Sequence, residues 1–535
     1  MLTLLPVIFL VFVTLLTLFL RRLPRGTGYS WLTALFLTLL TWGGVLAIHW
    51  FKLPGLEFSS WHPFDPQNAD PIIFTWDAVS WPLGLGLLSL TVAMIITAPA
   101  RLQQQSSPLT WSANLFISAL GLLAILAATP MATIFAWTLL DIVELVVLTR
   151  LVNDQQMKTQ IVIAFGVKII GILVFLWAMI QSQGAGAVLS YTDIQPPLGV
   201  FLLLATGLRL GVLPLNIPYG RALPLQRGLT TMLRMTAQIS SLVILARMNT
   251  ASIPENWIRI LMPFTALAVL YGAGMWAGAK NELEGRRYWC MAFAGFSVAA
   301  VLQANSSAVI IWGLACLING GLLFFFSIRS KALLFIPILG LIALSGLPFT
   351  PASGGLAGFM AAPYQVWDFL LLIGLALLLA GYIRLSLMPG DATKGIERWV
   401  FGVYPPGMAF LALSVWLITF FGQPVSIGPG VWWASVIGII LAAVVYYLLR
   451  IIEPLSVNVE NESSFTAIVI NRITSILNKI FRLNWFYRLL WGAFQGLQRF
   501  IEFITGVLEG EGGVLWALLL LALLLTILVG RGLLG

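Results

Sequence analysis

Five charged residues fall inside apolar stretches, and their types and spacing suit the handling of charge or protons. "MATIFAWTLLDIVELVVLTRL" holds Asp141 and Glu144, three residues apart and so on one face of a helix. "IVIAFGVKIIGILVF" holds Lys168, "LLLATGLRLGVLPLNIPYG" holds Arg209 and "LTTMLRMTAQISSLVILAR" holds Arg234. A charge in a bilayer costs a few kcal/mol, so each is a functional candidate by default. Two acids and three bases in consecutive stretches can offset that cost by pairing. Two readings stay open: static ion pairs that orient helices, and a polar axis that relays protons or cations. Pro214 and Pro218 follow Arg209 and Pro348 lies in a later apolar stretch. These prolines add weight to the relay, because a helix broken inside a membrane frees backbone groups that can hold water or an ion.

The elements that must position these residues are membrane helices. The chain has 535 residues, 59% hydrophobic and 9% charged, against roughly 25% charged in a soluble domain. At about 20 apolar residues per crossing, it reads as an all-α polytopic membrane protein with about sixteen spans, from 2–20 to 513–531. Lys and Arg concentrate in alternate loops: Arg21, Arg22 and Arg25; Arg101; Arg150 and Lys158; Arg221 and Arg227; Lys280, Arg286 and Arg287; Arg329 and Lys331; Arg384, Lys394 and Arg398. Loops 181–196 and 422–430 carry no basic residue. By the positive-inside rule the basic loops face the cytoplasm and both termini face outward; a prokaryotic inner membrane is the expected setting. The first apolar run has no basic residue before it and no small-residue cleavage site behind it, and reads as a retained span. The net charge of +9 is this topology signal and gives no reason to expect nucleic-acid binding. The segment 451–512 alternates Ile473, Ile476, Ile480 and Phe481 with Arg472, Asn478, Lys479 and Arg482 at helical spacing. That pattern predicts an amphipathic helix on the cytoplasmic side, lying on lipid or along a neighbouring subunit.

Little in the sequence points to catalysis. Cys290 and Cys316 lie far apart in apolar sequence and suggest neither a metal site nor a disulfide framework. No phosphate loop, nucleophile elbow or CxxC pair is present, and the sequence calls for no cofactor. The loop 51–77 carries His62, Asp65, Asp70 and Asp77, which read first as turn-forming polar residues and second as a catalytic cluster.

Five motifs, taken in order, carry a resemblance. They are "FTWDAVSWPLGLGLLSLT" (74–91), "FAWTLLDIVEL" (135–145), "GLRLGVLPLNIPYGRALP" (207–224), "NELEGRRYWCMAFAGFSVA" (281–299) and "LSGLPFTPASGGLAGF" (344–359). Together with the amphipathic segment before a last span, they make the chain resemble the antiporter-like membrane subunits of respiratory complex I and of Mrp-type cation/proton antiporters. The resemblance covers nearly the whole chain. It implies two inverted five-helix repeats, each with a discontinuous helix, and other membrane subunits as partners. The implied division is N-terminal helices at 1–110, repeats at 111–250 and 251–390, further helices at 391–450, a lateral helix at 451–512 and a final span at 513–535. The family's glutamate place holds Thr138, with Asp141 one turn on. Its broken-helix lysine place holds Arg209, and its span-eight histidine falls near Leu233 or Arg234. The ionisable residue of its second broken helix has no counterpart before Asp368. The implied function is proton or Na+ translocation coupled to electron transport, in a subunit whose titrating groups have changed or whose role is mainly structural. An independent secondary transporter for a small solute is the alternative.

Overall fold

The computed structural model describes residues 2–23, 26–51, 53–58, 71–104, 107–216, 227–360, 364–390, 397–422 and 431–457, together with Gly492. The expected final span, Pro218, His62, Asp65, Asp70 and nearly all of the amphipathic segment lie outside the described residues.

Helices α1 (Leu5–Leu20) and α2 (Gly26–Ile48) precede a short antiparallel pair, β1 (Leu56–Phe58) and β2 (Ile72–Phe74), in which Leu56 faces Phe74. Next come α3 (Ser80–Thr97), α4 (Pro108–Leu126), α5 (Pro130–Leu151), α6 (Gln155–Gly184), α7 (Leu198–Leu210) and α8 (Arg227–Arg247). The chain continues with α9 (Glu255–Ala277), α10 (Glu282–Leu302) and α11 (Ser306–Leu314), then a π-helical turn (Ala315–Asn319) and α12 (Gly320–Phe325). Helices α13 (Phe335–Leu344), α14 (Ser353–Phe359), α15 (Val366–Ser386), α16 (Arg398–Phe421) and α17 (Trp432–Val457) complete the described part. Polar side chains start several of these helices by taking up an otherwise orphan N–H: Ser107 for α4, Asp154 for α6, Asn281 for α10 and Asn305 for α11. Pro108 and Pro130 open α4 and α5, where a missing N–H costs nothing.

Among the described residues, twelve helices are long and apolar enough to cross a membrane. Three further expected spans fall on helices outside that set. Two are short apolar helices, Leu198–Leu210 and Lys331–Leu344. The third is α10, which carries Glu282, Glu284, Arg286 and Arg287 in its first two turns. The start of the expected amphipathic helix, 451–457, instead continues α17. Burial orders the bundle. In the most apolar 18 residues of Ser80–Arg101, Arg227–Arg247 and Ser306–Phe325, 89%, 89% and 100% are buried, whereas in those of Gly28–Ile48 and Trp432–Ile451 only 22% are, and apolar side chains turn outward. In hydrocarbon such a surface carries no penalty, because the helix satisfies its own backbone.

Asp77 shows how the opening motif of α3 works. Its Oδ1 accepts from the backbone N–H of Val79 at 3.0 Å and of Ser80 at 2.7 Å, and Ser80 Oγ accepts from the Asp77 N–H at 2.7 Å. Arg247, at the end of α8, donates to Asp77 Oδ2 at 2.9 Å and to the Ala127 carbonyl. Asp77 is thus a turn-and-cap residue joined to an ion pair. Burial pushes its carboxyl up, but Arg247 and the Ser80 hydrogen bonds outweigh that and hold it below its ordinary value. A group lowered in the folded state stabilises fully above its unfolded pKa of about 3.9 and loses that contribution as the pH falls through the lower folded value. Asp77→Ala is therefore expected to cost about 0.5–2 kcal/mol near neutral pH. It should also flatten the acid limb of stability, read as thermal unfolding in detergent from pH 7 down to 3.

Candidate functional site

Four of the five expected residues meet in one buried network across α5, α6 and α7. Asp141 sits on the face of α5 that also carries Trp137 and Glu144, as spacings of four and three residues require. Arg209, in the last turn of α7, clamps Asp141 with both terminal nitrogens: Nη1 to Oδ2 at 2.6 Å and Nη2 to Oδ1 at 3.1 Å. This fork-to-fork geometry is the strongest arrangement open to the pair. The guanidinium carbon stands 4.0 Å from the Trp137 ring centroid, and Nε reaches Ser241 Oγ on α8 at 3.4 Å. Trp137 is itself held by its Nε1–H, which donates to the Ser240 carbonyl at 3.1 Å.

Lys168 on α6 completes the network. Its Nζ lies 2.5 Å from Glu144 Oε2 and 3.3 Å from Asp141 Oδ1. Two carboxylates and two cations give the cluster a formal charge of zero, the condition under which buried charges are tolerated. Gly171, one turn beyond Lys168, makes the approach of α7 possible. A Cβ there would stand 2.9 Å from both the Ala205 carbonyl oxygen and Arg209 Cγ. Trp137 stands in the motif at 135–145 without a role being read for it, and Gly171 and Ser241 are marked by no charge or motif. Thr138, at the family's glutamate place, donates its hydroxyl to Ile134 on its own helix at 2.8 Å.

The helix break after Arg209 is made by glycine before any proline is reached. Helix α7 ends at Leu210, and Gly211 adopts the left-handed conformation at φ 77°. Its N–H closes on Leu208, while those of Val212 and Leu213 both return to the Gly207 carbonyl. A Cβ on Gly211 would lie 2.6 Å from the Asn216 carbonyl oxygen, so the turn needs glycine on two counts. Pro214 comes four residues after the helix end, and its position corrects the expectation that it breaks the helix. The second break repeats the pattern: α13 ends at Leu344, Gly346 has φ 71°, Pro348 follows and α14 starts at Ser353. Glycine followed within three residues by Leu-Pro was the available signal.

Arg234, on α8, lies near Arg286 and Cys290. Close by, Glu282 bridges Arg227 at 2.7 Å and Arg329 at 3.0 Å. Arg286 donates to Thr231 Oγ1 at 2.8 Å and to the Arg227 carbonyl at 3.1 Å. The "NELEGRR" motif therefore ties α10 to α8 and to the segment after α12. The second broken helix holds no ionisable side chain between Phe335 and Phe359. Beyond it, Asp368 accepts from Gln303 Nε2 at 2.5 Å and from the Gln365 N–H at 2.7 Å.

No protein-family model matches the chain, and no curated protein sequence matches it. Solved structures do. A chain of the Mrp complex from Dietzia sp. DQ12-45-1b matches at TM-score 0.67 and 16% identity, over 92% of this chain and 62% of that one. This chain thus spans less than two thirds of the length of the Mrp chain. A chain of the membrane-bound sulfane sulfur reductase, an archaeal respiratory membrane complex, matches at 0.65 and 13% identity, over 98% and 100%. A chain of respiratory complex I from Thermus thermophilus matches at 0.59 and 16% identity, over 79% and 100%. The resemblance to antiporter-like membrane subunits, read first from ordered motifs, is thus met by the fold.

Proposed function

We propose that this chain is a membrane subunit of a complex I-like or Mrp-like assembly and takes part in proton or Na+ translocation. The observation that carries the proposal is the neutral, buried network of Asp141, Glu144, Lys168 and Arg209 at the foot of a broken helix. Here one ammonium is shared by two carboxylates, while Arg209 pins one of them. Arginine stays charged, whereas lysine is able to exchange its proton. The titrating role that the family resemblance gives to the broken helix therefore falls on Lys168, one helix away. Glu144 stands nearer the basic-loop end of α5 and Asp141 nearer mid-membrane, so movement of Lys168 between them moves charge along the membrane normal. Two inverted repeats at 111–250 and 251–390 would be compatible with this reading, since each range contains a glycine-made break.

In the proposed orientation the basic loops are cytoplasmic, in a prokaryotic inner membrane. Neighbours in such an assembly would supply any redox chemistry. Extraction of the tagged chain in mild detergent, followed by mass spectrometry of what co-purifies, tests the assembly. Recovery with other antiporter-like or quinone-oxidoreductase subunits is expected. Recovery as a stable, monodisperse single chain would contradict it and favour an independent transporter.

A further inference from the structure

Three sulfur atoms meet far from the charged network, where α8, α10 and the π-helical turn pack together. The thiols of Cys290 and Cys316 are neighbours. Cys316 Sγ lies 3.9 Å from Met235 Sδ. Cys316 and Met235 are buried, and Cys290 is partly exposed. The backbones of both cysteines are anchored. Gln238 Nε2 on α8 donates to the Cys290 carbonyl at 2.6 Å, and Trp289 Nε1 donates to the Cys316 carbonyl at 3.1 Å. The π turn widens the helix at Cys316, the kind of irregularity found mostly at functional sites. Gly320 keeps the space open: a Cβ there would stand 2.5 Å from Trp289 Nε1 and 2.8 Å from Met235 Cε.

We propose that Cys290, Cys316 and Met235 form a binding site for a soft thiophilic metal ion, with Cu(I) the best fit. Thiolate and thioether sulfurs select Cu(I) over harder ions. Three sulfurs set symmetrically around a closed-shell ion at about 2.3 Å stand about 4 Å apart from one another, close to the separation already present between Cys316 and Met235. Zinc fits less well. It takes four donors, and among the described residues no group of three or more His, Cys, Asp or Glu side chains could hold a metal. Binding forms two Cu–thiolate bonds and one Cu–thioether bond, releases both thiol protons to solvent and moves no electron. The resulting single negative charge lies near the guanidiniums of Arg234 and Arg286. The two cysteines, 26 positions apart in sequence, are brought together only by the packing of α10 against the π turn.

The test is Cu(I) titration of the purified full chain, reduced and oxygen-free, in competition with bicinchoninate, with X-ray absorption at the copper edge. The expected result is one Cu(I) per chain with three sulfur neighbours. Cys316→Ser should lose the bound equivalent. Met235→Leu, close in volume and expected to keep the fold, should bind more weakly with two sulfur neighbours. Absence of uptake by the wild-type chain would overturn the proposal. So would two sulfur neighbours in the wild-type chain, or unchanged uptake by a Cys290→Ser/Cys316→Ser double variant.

Discussion

Asp141→Asn should lower the unfolding free energy of the detergent-solubilised chain by about 3–5 kcal/mol. The size follows from charge more than from lost hydrogen bonds. A neutral hydrogen bond is worth about 1 kcal/mol net, and asparagine could keep one of the two that Asp141 accepts from Arg209. It cannot keep the carboxylate charge. The network then passes from neutral to a formal charge of +1, with the buried Arg209 guanidinium facing an amide and the Trp137 ring. Glu144 does not repair this, because Lys168 already lies 2.5 Å from it. Arg209→Gln added to Asp141→Asn returns the cluster to neutrality, so the double variant should recover much of the loss. A thermal-unfolding double-mutant cycle reads the coupling directly. Additive losses would mean that the two residues do not share the energetic role assigned to them.

Lys168→Arg has the opposite signature, with small structural and large functional effects. The guanidinium keeps the positive charge between Asp141 and Glu144, so assembly and stability should stay close to wild type. It cannot release a proton under these conditions. Translocation that depends on a titrating group at this place should fall to background, while the electron-transfer or antiport partners remain bound. Lys168→Met separates the effects further. It removes the cation shared by Asp141 and Glu144, so it should lose both translocation and stability.

The contrast between what could be read from the chain and what could not follows the range of the interactions. Asp141 and Glu144 were visible as a pair because an interval of three residues fixes a helix face whatever packs against it. Lys168 and Arg209 were visible as candidates because a charge in an apolar run is costly anywhere. Their assignment to one network depends on which faces of α6 and α7 turn inward, and no local pattern encodes that. Gly171 is a single residue whose meaning appears only when α7 lies against it. The helix breaks were located near the right prolines, yet Gly211 and Gly346 make them, since the left-handed turn comes before the proline. Asp77 looked like one of four loop carboxyl and imidazole groups. Its part in α3 depends on Arg247, 170 positions away. Cys290 and Cys316 likewise gave no sequence signal, because their contact depends on tertiary packing.

The central claim is that Lys168 titrates during translocation. The most direct measurement is proton or Na+ movement into inverted membrane vesicles containing the assembled complex, with wild-type chain or Lys168→Arg, at matched subunit content. The account predicts that the variant complex assembles fully and moves ions at background rate. Full assembly with wild-type ion movement would contradict it and leave the network as a static brace between α5, α6 and α7.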